Sequence, residues 1–175
     1  VSRFAATRPL QGFKPIETVP SIAFESAARP LLVLHAVVGF ALLGASTHLL
    51  VVCVQLWRGR VHLGRLARVY AQVIGATFTA SFVLGLVMYP HYRYHVRGLY
   101  LDRYEPWASN LFDMKETFAA LALPLAIALL PVGRRLDPAR ERDLLPLVTL
   151  LAAAVWATAA FAAVAGVLVT GVRGV

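Results

Sequence analysis

Four predominantly apolar stretches, each long enough to cross a bilayer as a helix, dominate the chain: about Leu31 to Trp57, Val69 to Tyr89, Asn110 to Val132 and Leu144 to Val172. A spanning helix needs about 20 such residues to cover roughly 30 Å of hydrocarbon. Every backbone N–H and C=O must then be paired within the chain, which selects helices for runs of this kind. Of the 175 residues 59% are apolar and 15% charged, with a mean hydropathy of +0.68, so a water-facing polar surface is out of reach. The expected fold is all-α, an integral membrane four-helix bundle with up-down-up-down topology and helices near 31–57, 69–89, 110–132 and 144–172. The connections at 58–68, 90–109 and 133–143 leave no room for a soluble domain.

Residues 1–30 contain no apolar run and are interrupted by Pro9, Pro15, Pro20 and Pro30, so they do not read as a secretory signal. They are expected to lie on the membrane surface or against a partner, and Pro20 to Ala28 suits either a short interfacial helix with Ile22 and Phe24 facing lipid or an unstructured lead-in. The formal charge of +8 does not point to nucleic acid, because the basic residues are spread over every connection and read as membrane flanks. Eight of them crowd the two short connections (Arg58, Arg60, Arg65, Arg68, Arg134, Arg135, Arg140, Arg142), and nine are spread over the longer remainder. That density puts the first and third connections in the cytoplasm. Both termini and the 90–109 connection then face the periplasmic side of a bacterial inner membrane. Cys53, the single cysteine, falls inside the first span and reads as a buried inert thiol.

No phosphate loop, dinucleotide fingerprint, nucleophile elbow or paired CxxC is present, so chemistry falls to the histidines and to ionisable groups near the spans, where they are costly. An up-down topology gathers His35, His91, His95, Asp113, Lys115 and Glu116 at one end of the bundle. His91 and His95 are four apart and share a face if the chain stays helical past Pro90, a usable spacing for a metal pair to which Asp113 or Glu116 adds an oxygen ligand. The same histidines also fit an aromatic interfacial belt formed with Tyr89, Tyr92, Tyr94, Tyr100, Tyr104 and Trp107. Asp113 and Glu116 equally suit a helix first turn, with Asn110 and Asp113 approximating a capping box, and Lys115 suits snorkelling.

His48 lies deeper, about 6 Å past the midplane, at the depth of Gln72 and Thr149. It reads either as an imidazole hydrogen-bonded to one of these or as an axial ligand of haem b. His35 and His48 are thirteen apart, which turns their side chains roughly 140° from each other, so they are expected to meet different neighbours and to hold at most one haem between them. His35 is the better ligand, with His91 or His95 completing the axial pair and Gly39 leaving room for a porphyrin edge. The other reading of Gly39, Gly44, Gly75, Ser81 and Gly85 is close helix packing.

The stretch Leu34-His35-Ala36-Val37-Val38-Gly39-Phe40, together with Leu111-Phe112-Asp113-Met114-Lys115, resembles small four-helix membrane proteins related to the oxygen-independent type of protoporphyrinogen oxidase and to copper-resistance D domains. An early histidine and a lysine opening a later helix recur in those families, and the former binds haem b. The resemblance implies His35 and Lys115 as the matching positions; the arginine- and tyrosine-rich stretch from His91 to Trp107 departs from it. The function expected is a subunit of a larger redox or energy-transducing membrane complex, engaged in electron transport and surrounded by other membrane subunits and lipid. The alternatives are a stand-alone haem-linked oxidoreductase and a cofactor-free scaffold. The alanines and glycines of the fourth stretch, Ala152 to Gly166, favour close protein neighbours.

Overall fold

The computed structural model describes residues 25–140 and 142–173. The surface segment expected over residues 1–30, with Ile22 and Phe24, lies outside the described residues except for its last six. Among the described residues the chain is helical with no strand. Four long helices, α1 (Ala28–Trp57), α2 (Gly64–His91), α3 (Pro106–Arg135) and α4 (Leu144–Val172), carry the fold. All four helical segments are long and apolar enough to cross a membrane.

Each helix ends for a local reason. Gly59, at φ 88°, closes α1: its N–H donates to the Leu56 carbonyl at 2.9 Å, and the Arg60 N–H donates to Gln55 at 3.1 Å, the paired bonds of a Schellman motif. Pro106 opens α3 at its first position, where the missing N–H is no loss, four residues before the expected start near Asn110. Asn110 and Asp113 therefore sit inside the helix, and no capping box forms there.

The largest departure from expectation lies between α2 and α3. The chain stays helical through Pro90, and Tyr92–Leu101 continues as a π-helix before a turn at Asp102–Tyr104. The residue spacing accounts for the change of pitch. Buried positions on α2 fall at Gly64, Ala67, Ala71, Ile74 and Phe78, three or four apart, with Gly75 beside Ile74. Beyond Pro90 the inward positions are Tyr92, Val96 and Leu101, four and five apart, which matches about 4.4 residues per turn.

Hydroxyls within the helices are satisfied locally, which is how apolar segments tolerate them. Thr47 donates to Leu43 O at 2.8 Å, Thr77 to Val73 O at 2.7 Å, Thr79 to Gly75 O at 2.8 Å and Thr149 to Leu145 O at 2.7 Å. Large apolar side chains point outward on every helix: Val37, Phe40, Val83, Leu86, Leu121, Leu150 and Val167 are each at least half exposed. Ala152, Ala159 and Ala165 of α4 are buried inside the bundle, so much of its small-residue character serves internal packing.

The interior is uneven. A main core draws on Leu42 to Leu56, Ala67 to Phe78, Ala122 to Leu136 and Leu145 to Ala159. A second, smaller cluster joins Val96, Leu101, Ala108, Phe112 and Val169. Between them, residues 29–41, 79–95 and 113–121 contribute no fully buried side chain, and residues 160–168 contribute only Ala165. The inward side chains of this intermediate layer stay half-buried, less tightly enclosed than those on either side.

Candidate functional site

His35 stands in the intermediate layer. Its Nδ1 lies 3.0 Å from the Ser81 carbonyl oxygen on α2. A carbonyl oxygen only accepts, so Nδ1 carries the proton and Nε2 keeps its lone pair. Metal-ligating histidines show this arrangement, in which the second nitrogen donates to a backbone carbonyl and so fixes the tautomer and the ring plane. Gly85 borders the ring, since a Cβ there would meet His35 Cε1 at 3.6 Å. A Cβ on Gly39, one turn on from His35, would meet nothing within 4 Å. Gly39 and Gly44 are therefore not close-packing glycines, and the space beside Gly39 is open.

Lys115 and Glu116 reach the same layer from α3. The Lys115 ammonium lies 4.4 Å from the centroid of the Phe112 ring and interacts electrostatically with both His35 and Glu116. Tyr92 stacks on the other part of this assembly, its ring centroid 3.9 Å from that of Phe112. The Tyr92 hydroxyl is buried without a hydrogen-bond partner.

Among the described residues no three His, Cys, Asp or Glu side chains come together in a way that could hold a metal ion. His91 and His95 do share a face, with ring centroids 4.7 Å apart, as expected of a helix that continues past Pro90. Asp113, however, is engaged by Arg97, whose Nη1 and Nη2 donate to its two carboxylate oxygens at 2.6 and 2.9 Å. The histidine pair also lies at a different level from His35. From Gly85, against the His35 ring, to His91 the helix climbs six residues, about 9 Å.

His48 is exposed on the outside of the bundle, its ring stacked on Tyr70 with centroids 5.5 Å apart and planes within 8°. It bonds to neither of its expected partners. Gln72 donates to Leu130 O at 2.7 Å and accepts from Arg134 Nε at 2.7 Å, and Thr149 accepts from the Trp57 indole at 3.2 Å. Both histidines contact α2, but at different residues, His35 at Ser81 and Gly85 and His48 at Tyr70.

Arg97 was not singled out by the sequence, yet it ties the π-helix to α3. Besides Asp113 it reaches Asp102 Oδ1 at 3.4 Å, and Asp102 in turn accepts a hydrogen bond from Ser109. The guanidinium fork matches the carboxylate in a way an ammonium does not. Arg97→Lys is expected to cost about 1 kcal/mol, discounted for partial exposure. Hydrogen exchange should speed up across residues 92–101 while residues 42–56 are unchanged.

Compared with protein-family models, with curated proteins and with solved structures, the chain matches none.

Proposed function

We propose that this chain is a multi-pass integral membrane subunit of a larger redox complex, and that it binds a b-type haem through His35. The observation that carries the reading is the Nδ1 bond to the Ser81 carbonyl, which leaves Nε2 with its lone pair. Haem b supplies one-electron chemistry when bound. His35 would be the residue that holds it. The imidazole is oriented by the α2 backbone, and Gly85 sits against the ring without crowding it.

Lipid as the surrounding solvent is supported by the outward Val, Leu and Phe side chains on all four helices. An up-down-up-down course is supported by cross-helix contacts whose numbers rise on one helix as they fall on the next. His35 meets Ser81 while His48 meets Tyr70, and Thr47 meets Trp156 while Trp57 meets Thr149. Membership of a complex is supported by His48, a polar ring on a face that in lipid needs a polar cover from another subunit.

A reduced-minus-oxidised visible spectrum of the detergent-purified chain tests the haem reading, with a b-type band expected. No band would move the assignment to a cofactor-free membrane scaffold, and turnover by the isolated chain would move it to a stand-alone oxidoreductase. With the short connections in the cytoplasm, a cysteine introduced at Arg60 should resist an impermeant thiol reagent in intact cells. One introduced at Tyr104 should react; the opposite pattern reverses the orientation.

A further inference from the structure

An apolar groove of about 740 Å³ runs along α2 where it meets α1 and α3. Gly75, Thr79 and Ala80 line it on α2, Leu34 and Val38 on α1, and Leu130 on α3, so short side chains lie between longer ones from both neighbours. Ala80 is exposed and Leu34 is 48% exposed, which opens the groove to the outside of the bundle. Thr79 brings the one hydroxyl among the lining residues, and it already donates to the Gly75 carbonyl oxygen at 2.8 Å. The surface therefore suits hydrocarbon and offers a polar ligand nothing. From Gly75 to Leu84 the lining covers nine residues of helix, about 14 Å, close to half of the roughly 30 Å hydrocarbon thickness.

A cation stands at one end of this groove. Gln72 donates from Nε2 to the Leu130 carbonyl oxygen at 2.7 Å and accepts at Oε1 from Arg134 Nε, also at 2.7 Å. Arg134 is thereby held one turn beyond Leu130 through its Nε, and its exposed Nη1 and Nη2 remain directed to other acceptors. Arg68, one turn before Gln72 on α2, adds a second positive charge at the same seam, where its Nη1 donates to the Leu136 carbonyl oxygen at 3.0 Å. Among the described residues no carboxylate closes an ion pair with either arginine.

We propose that the groove binds an acyl chain of an anionic phospholipid whose phosphate is held by Arg134. The inference rests on lipid as the solvent of the bundle and is independent of haem. A guanidinium matches phosphate geometry, and basic pockets between spanning helices recognise anionic headgroups. The order of the site, charge at the end of the helices and a leaflet-long apolar channel below it, is the order of the lipid itself. A second copy of the chain fits less well, because an isologous contact about an axis along the membrane normal sets both copies' Arg134 at one level, where like charges repel.

The test uses the full-length chain, purified in detergent and stripped of lipid, with bound lipid counted by native mass spectrometry. Titrated with phosphatidylglycerol and with phosphatidylcholine of the same acyl chains, the parent should prefer the former by about tenfold, the scale of one charge-assisted hydrogen bond. Arg134→Gln should lose the preference, whereas Arg60→Gln, which removes a charge from the α1–α2 connection, should keep it. Ala80→Phe fills the groove from an exposed position and should weaken both lipids. Equal affinity of the parent for the two lipids, or the same loss in Arg60→Gln, would overturn the site. So would displacement of phosphatidylglycerol by inorganic phosphate, which makes the free ion the ligand, or a parent dimer dispersed by Ala80→Phe, which makes a second copy the occupant. A parent that stays monodisperse once detergent is removed would take away the membrane reading itself.

Discussion

If His35 holds haem as proposed, His35→Asn should fold as the parent does and retain less than about a tenth of the parent's haem, because the substitution separates a structural role of the imidazole from a ligating one. The asparagine amide nitrogen occupies nearly the position of Nδ1 and can still donate to the Ser81 carbonyl, which lies 3.0 Å from Nδ1 in the parent. What disappears is the nitrogen lone pair on the far side of the ring. A purely structural histidine would tolerate this exchange without spectral change, whereas an axial ligand would not. His48→Asn is the matched control: His48 is exposed and stacks on Tyr70, so the spectrum of the isolated chain should be unaltered. Full haem content in His35→Asn, in monodisperse protein, would end the assignment of His35 as the ligand.

The second large effect concerns stability and sits in the dense half of the bundle. At Gly133 an added Cβ would lie 2.3 Å from the Ala71 Cβ, and at Gly75 it would lie 2.4 Å from Leu130 Cδ2 and 3.0 Å from the Ala126 carbonyl oxygen. Leucine can swing its methyl aside. An alanine Cβ is fixed to the backbone, so Gly133→Ala forces α2 and α3 apart at a cost of about 1–3 kcal/mol. Removing the opposing methyl should undo the damage, since the next atom of Ala71, its Cα, stands 3.8 Å away. The double substitution Gly133→Ala, Ala71→Gly moves the methyl from one helix to the other, and helix propensities cancel. Its thermal midpoint in detergent should recover to near the parent's. A single Gly133→Ala variant as stable as the parent would show that this contact does not limit the approach of α2 and α3.

The bundle's class was readable from the four apolar runs, because a bilayer-length helix is specified by composition over about 20 residues and needs no long-range information. The start of α3 at Pro106 and the continuation past Pro90 were not. Proline reads as a helix breaker, and the four-and-five spacing of Tyr92, Val96 and Leu101 is the signal of a wider helix that a period of 3.6 does not contain. His35 and Lys115 stood out as polar residues in apolar surroundings, and both are half-buried. The pairing of Asp113 with Arg97 depends on how the π-helix folds back on α3, sixteen residues away, and no local pattern announces it. The outward position of His48 was likewise a matter of rotation about the helix axis, which depth alone does not determine.

The glycine contacts between α2 and α3 have a mechanical result. They clamp two neighbouring helices at the levels of Gly75 and Gly133, and the layer that holds His35 lies beyond the clamp, where no side chain is jammed between the helices. The second cluster and the Arg97–Asp113 pair close the far side of that layer, so the two helices are held together both above and below it.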